Sequence, residues 1–109
     1  MKLIIAIVQD DDAGELIATL NEEGHRVTKL ATTGGFLKSG NTTVMIGVEE
    51  ESVDEVLKVV ENVCKTREQV VTSPTTIAGS SGVYVPYPVE IEIGGATVFV
   101  VDVDKFLKF

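Results

Sequence analysis

Residues 3–8, Leu-Ile-Ile-Ala-Ile-Val, are apolar at every position and rich in β-branched side chains. A run this short cannot cross a bilayer, and a strand wet on one face would alternate apolar with polar residues. The run therefore reads as a central strand covered on both faces, and the rest of the chain must supply two covers. Met1-Lys2 and the apolar run resemble the start of a signal peptide, but Gln9-Asp10-Asp11-Asp12 follows in place of a small-residue cleavage site. The segment is expected to stay in a soluble cytoplasmic protein.

One cover is visible downstream. Asp10, Asp11 and Asp12 offer N-cap candidates and negative charge for a helix N-terminus. Ala13, Leu16, Ile17 and Leu20 then follow at helical spacing, with Gly24 as the stop. Residues 26–33 and 43–48 read as second and third strands. Ser52 with Glu55 has the form of a capping box, opening a second helix that places Val53, Val56, Leu57, Val60 and Cys64 on one face. Residues 69–72 can be extended, and residues 89–93 alternate as Val-Glu-Ile-Glu-Ile. Gly94-Gly95 is a two-residue turn signal that would join them to residues 96–101 as a hairpin. The order βαββα followed by strands predicts an α+β, ferredoxin-like architecture: an antiparallel sheet with two helices on one face. With 109 residues this is one domain, 1–109. The second sheet face stays bare, so its cover is expected to be copies of the same chain in a closed cyclic oligomer.

Charge restricts the partners. Seventeen acidic residues against nine Lys and Arg give a net charge of −8, which disfavours nucleic acid polymers and anionic membranes. A single cysteine and a single histidine remove disulfide scaffolds and zinc ribbons from consideration and fit a reducing compartment. Against this acidic background, residues 25–43 hold Arg26, Lys29 and Lys38 and no acid. They also contain Gly34-Gly35 and Gly40, which allow close backbone approach, and five threonines whose hydroxyls can meet phosphate oxygens. Phe36 stands amid this polar stretch, where stacking on a base would cover it, and Asn41 can pair with an adenine edge. These residues suit a small anionic ligand with an aromatic part, such as a nucleotide. An ordinary Gly/Thr hairpin loop with Phe36 packed into the core or an interface accounts for them too, and no P-loop or dinucleotide-binding spacing is present.

Residues 69–89 carry no charge and hold all three prolines and both tyrosines. They read either as a long functional loop or as an insertion with a rigid Tyr-Val-Pro-Tyr-Pro return. His25, without a Cys or carboxylate at ligand spacing, reads as a surface histidine and Cys64 as a buried inert thiol. The acidic runs at 10–12 and 49–51 read as solvated charges ahead of helices. No nucleophile–base pair is visible, so neither catalysis nor a cofactor is expected.

The stretch from Arg26-Val27-Thr28-Lys29-Leu30 through Thr33-Gly34-Gly35-Phe36-Leu37-Lys38-Ser39-Gly40-Asn41 to Thr43 closely resembles the signature of the PstA/DarA family of cyclic di-AMP receptors, relatives of the PII signal-transduction proteins. The opening Ile-Ala-Ile-Val-Gln-Asp, the Tyr84-Val-Pro-Tyr-Pro-Val-Glu segment and Gly94-Gly-Ala-Thr-Val-Phe-Val match as well. The resemblance implies a PII-like homotrimer that binds one cyclic di-AMP in each cleft between subunits and relays it by loop reordering to a downstream protein target, without enzymatic activity. It implies Arg26 and Thr28 on the phosphate-ribose ring, Gly35, Phe36 and Leu37 beside an adenine, and Asn41 and Gly47 in a deeper adenine pocket. The loop around Phe36 corresponds to a shortened T-loop and residues 73–88 to an enlarged B-loop. The chain departs from the family at Val101-Asp102-Val103, at Lys108 and at residues 79–83, which leaves a ligand contact from the C-terminus open. A nitrogen-type PII sensor binding ATP, or a metal-handling or hydrolytic protein on the same fold, are the alternatives. The short T-loop, the sparse His and Cys content and the missing catalytic pair weigh against them.

Overall fold

The computed structural model describes residues 1–31, 40–76 and 84–109. The elements run β1 (Lys2–Gln9), α1 (Asp10–Glu22), β2 (Val27–Ala31), β3 (Asn41–Val48), a 3₁₀ turn (Glu50–Ser52), α2 (Val53–Cys64), β4 (Arg67–Thr76), β5 (Tyr84–Ile93) and β6 (Ala96–Asp102). One antiparallel sheet has the order β2-β3-β1-β6, so β1 is central as its composition requires. Two interleaved β-α-β units result, each helix crossing from one strand to a parallel one with a third strand between them. This is the ferredoxin-like arrangement.

The pleat divides the sheet into two unlike faces. On one, Ile4, Ala6 and Val8 of β1 and Val44, Ile46 and Val48 of β3 are buried beneath Leu16 and Leu20 of α1 and Val56, Val60 and Cys64 of α2. On the other, no helix lies over Leu3, Ile5, Ile7 and Met45, which are half-buried. Their neighbours Phe99 and Val101 on β6 are 52% and 42% exposed. The register places Ile5 between Met45 and Phe99, so this outer face has an apolar centre.

Local signals held unevenly. Gly24 ends α1 in the left-handed region at φ 86°, where glycine avoids a Cβ penalty. Gln9 is the N-cap of α1, and all three aspartates lie in its first turn. The capping box does not form: Ser52 closes the 3₁₀ turn with φ −97° and ψ −3°, away from the extended conformation that aims a capping hydroxyl at the helix.

The expected hairpin across Gly94-Gly95 is overturned. β5 pairs with β4 in a separate two-stranded sheet, and β6 pairs with β1. The two glycines, at φ 84° and 97°, instead carry the chain from one sheet to the other against the foot of β4. A Cβ on Gly94 would lie 2.6 Å from the Lys65 carbonyl oxygen. Burial of Val98 against the core and a full ladder on β1 outweigh a local turn.

The uncharged segment is likewise largely strand rather than loop, since the β4–β5 ladder runs from Arg67↔Ile93 to Thr76↔Tyr84. Its register puts Pro74 opposite Pro86 and Thr72 opposite Pro88, all in one alternate set of pairs. Where that set is the non-hydrogen-bonded one, the three missing N–H groups would only have pointed away from the partner strand.

Cys64 is buried at the end of α2, and that burial, with Asp12 adding to it and Arg67 opposing, pushes its thiol up to about 11. It is therefore protonated and shielded at neutral pH. Native protein is expected to resist an aromatic disulfide reagent and to yield one thiol per chain in denaturant. Rapid labelling of the native state would contradict this packing.

Among the described residues no helix is long and apolar enough to cross a membrane.

Candidate ligand site

Arg26, Thr28 and Gly47 meet at one end of the outer sheet face, in a cleft of about 800 Å³ that Leu3, Phe106 and Lys108 also line. That volume suits a nucleotide-sized molecule. Gly47 sits within β3, one residue from its end, where glycine weakens a sheet. Its φ is not positive, and a Cβ there would meet nothing within 4 Å. Neither backbone nor packing demands the glycine, and its missing side chain leaves the cleft floor open. The cleft carries two flexible cations, Arg26 and Lys108, with Glu49 at its edge. The C-terminal contribution, left open by the sequence, comes from Val103, Phe106, Leu107 and Lys108 folding back beside the first residues of the chain. Only the return of β6 alongside β1 makes it visible. Lys2 and Asp102 pair across that ladder as an exposed ion pair, which raises the lysine's pKa and lowers the aspartate's.

Asn41 lies elsewhere. It is at the opposite end of β3 on the same face, in a groove of about 380 Å³ with Ile7, Gln9, Gly94 and Thr97. Gly47 lies six positions further along the strand, about 20 Å at the rise of an extended chain. Within one chain, therefore, Asn41 and Gly47 do not line a common pocket; the resemblance implies a pocket between subunits. Gly35, Phe36 and Leu37 lie outside the described residues, in the segment that re-enters the fold just before Asn41.

That re-entry point is held firmly. The Asp10 backbone N–H donates to Gly40 O at 3.1 Å, and the buried Thr42 hydroxyl donates to Asp10 Oδ1 at 2.5 Å. Two residues on, Asp12 is buried and accepts from Arg67 Nη2 at 2.6 Å, while Arg67 Nη1 donates to Lys65 O at 3.1 Å. The Asp12 bond holds the Arg67 guanidinium above its ordinary pKa. Gln9 Oε1 accepts the Gly94 N–H at 2.9 Å. The first turn of α1 thus fastens both the foot of the Phe36 segment and the foot of the β4–β5 hairpin. Asp12 is a buried structural partner rather than a solvated charge, whereas Asp10 remains exposed while holding Thr42.

His25 is a further correction. Its side chain is 13% exposed rather than on the surface, and Glu55 Oε1 lies 3.7 Å from its Nε2. A contact across thirty residues of chain leaves no trace in local spacing.

Comparison with known proteins places the whole chain in a family. A family model described as "Cyclic-di-AMP receptor" matches residues 1–109. A solved structure described as a functionally unknown protein from Pediococcus pentosaceus ATCC 25745 is similar at 48% identity and a TM-score of 0.78. The likeness covers 99% of this chain and 96% of that one.

Proposed function

The chain belongs to the cyclic-di-AMP receptor family and is a PII-like receptor for that ligand; from this premise we propose that one domain, residues 1–109, assembles as a homotrimer with a ligand in each cleft between subunits. The observation that carries the reading is the division of the site. Arg26, Thr28 and Gly47 occupy one end of the outer face and Asn41 the other, about 20 Å away along β3. A cyclic dinucleotide engages both ends only if the second belongs to a neighbouring protomer. Packing the apolar outer faces together brings neighbouring ends into register and buries Ile5, Met45 and Phe99.

In each cleft, Arg26 grips the phosphate oxygens through its planar guanidinium and Thr28 donates to the phosphate-ribose ring. Gly47 admits the ligand close to β3. From the neighbour, Gly35, Phe36 and Leu37 flank an adenine and Asn41 reads its edge. The protein acts as a receptor rather than an enzyme. Rearrangement of the segment 34–42 on the ligand is passed through the first turn of α1 to the β4–β5 ladder, and from there to a downstream protein target. A lone, buried thiol fits a cytoplasmic setting.

Subunit complementation tests the divided site. Arg26→Ala and Asn41→Ala are each expected to bind cyclic di-AMP weakly when made alone. Co-expressed, they form mixed trimers in which about a quarter of the clefts unite two intact halves, and tight binding returns at that fraction. If mixing restores nothing although each variant remains trimeric, the two ends do not serve one site.

A further inference from the structure

The ends of α1, β2 and α2 converge on a second constellation at the edge of the nucleotide cleft, which His25 also lines and to which the ligand reading assigns none of its three residues. Glu23 closes α1, Gly24 turns the chain, and the His25 backbone N–H donates to Leu20 O at 2.9 Å. This bond holds the His25 main chain, and its largely buried ring comes near Glu55 in the first turn of α2. One ligand atom each from Glu23, His25 and Glu55 lies within 4.8 Å of the others.

Three features of this cluster are unfavourable as they stand. His25 Nε2 is buried and has no hydrogen-bond partner among the described residues, its 3.7 Å approach to Glu55 being too long for one. Glu23 puts a carboxylate at a helix C-terminus, where the macrodipole repels it, and the last turn of α1 has no basic residue in compensation. Two carboxylates also face one another across a half-buried ring. A single dication answers all three, by taking the Nε2 lone pair and neutralising both carboxylates.

We propose that Glu23, His25 and Glu55 bind a divalent transition-metal ion of the zinc type, through His25 Nε2 and one oxygen of each glutamate, with water completing the coordination. An imidazole with two carboxylates suits Zn²⁺ and its neighbours, whereas Mg²⁺ and Ca²⁺ select all-oxygen sets. Metal–ligand bonds of about 2.0–2.2 Å require the three atoms to draw closer than 4.8 Å. The two glutamates are exposed and free to swing, and His25 is the largely buried member around which they close.

The test uses metal salts alone, so its outcome does not depend on whether cyclic di-AMP binds. His25 is the chain's only histidine, so tag-free protein gives one set of imidazole proton signals to follow by NMR. Zn²⁺ is expected to shift those signals and Co²⁺ to move or broaden them strongly, while equal Mg²⁺ leaves them in place. Calorimetry should give one Zn²⁺ per chain, with affinity at least about tenfold weaker in Glu23→Gln and in Glu55→Gln. Imidazole signals indifferent to Zn²⁺ and Co²⁺ would overturn the proposal, and this readout needs no variant to fold. Unchanged zinc affinity in both glutamine variants would overturn it equally.

Discussion

Ile5→Asp is expected to convert the assembly into monomers and to abolish tight cyclic di-AMP binding at the same time. Ile5 stands at the centre of the outer face, between Met45 and Phe99, on the side of β1 that no helix covers. In an isolated chain the new carboxylate stays within reach of water, so the core beneath α1 and α2 is retained and the protein still melts cooperatively. In a closed trimer it is desolvated without a partner in every subunit, at several kcal/mol per ion. Light scattering on the eluting peak should fall from three chain masses to one. A variant that stays trimeric and binds ligand normally would remove the outer face from the interface.

Phe36→Ala separates the two readings that the sequence leaves open for this ring. Phe36 lies outside the described residues, but the segment carrying it returns to the fold at Gly40, beside Asn41 and over the fastened first turn of α1. As a platform for adenine, its removal costs about 1 to 3 kcal/mol, or roughly 5- to 150-fold in affinity. Melting of the ligand-free protein should then barely change. A core or interface phenylalanine behaves in the opposite way, losing about 3 to 5 kcal/mol of stability on truncation. Unchanged affinity with a large fall in melting temperature would contradict the stacking role.

What could be read in advance follows the physics of each signal. Periodicity is set by which face meets the core, so the buried side of α2 and the central place of β1 were legible from residue spacing alone. Signals that depend on competition between partners were not. Ser52 and Glu55 have capping-box spacing, but a 3₁₀ turn claims Ser52 and Glu55 faces His25. Gly94-Gly95 has hairpin chemistry, but β1 offers β6 a better ladder. Residues 69–89 lack charge and contain three prolines, and the register that lets a two-stranded ladder tolerate them appears only in the pairing.

The site shows the same division. Arg26 and Thr28 stood out in the sequence as part of a cationic, threonine-rich stretch, whereas Gly47 was named only by the resemblance and joins them because β2 and β3 pair side by side. Lys108 and Phe106 join them only through the course of the C-terminus after β6, which no local pattern encodes. The resemblance named Asn41 and Gly47 together, whereas strand geometry puts them at opposite ends of one face. That separation is the physical reason for a site shared between protomers.

Calorimetric titration of the wild-type protein with cyclic di-AMP, cyclic di-GMP and ATP tests the account most directly. The account predicts one cyclic di-AMP per chain, bound more tightly than either competitor, because Asn41 reads an adenine edge and the divided cleft spans two nucleotides. No heat with cyclic di-AMP, or tighter binding of ATP, would contradict it.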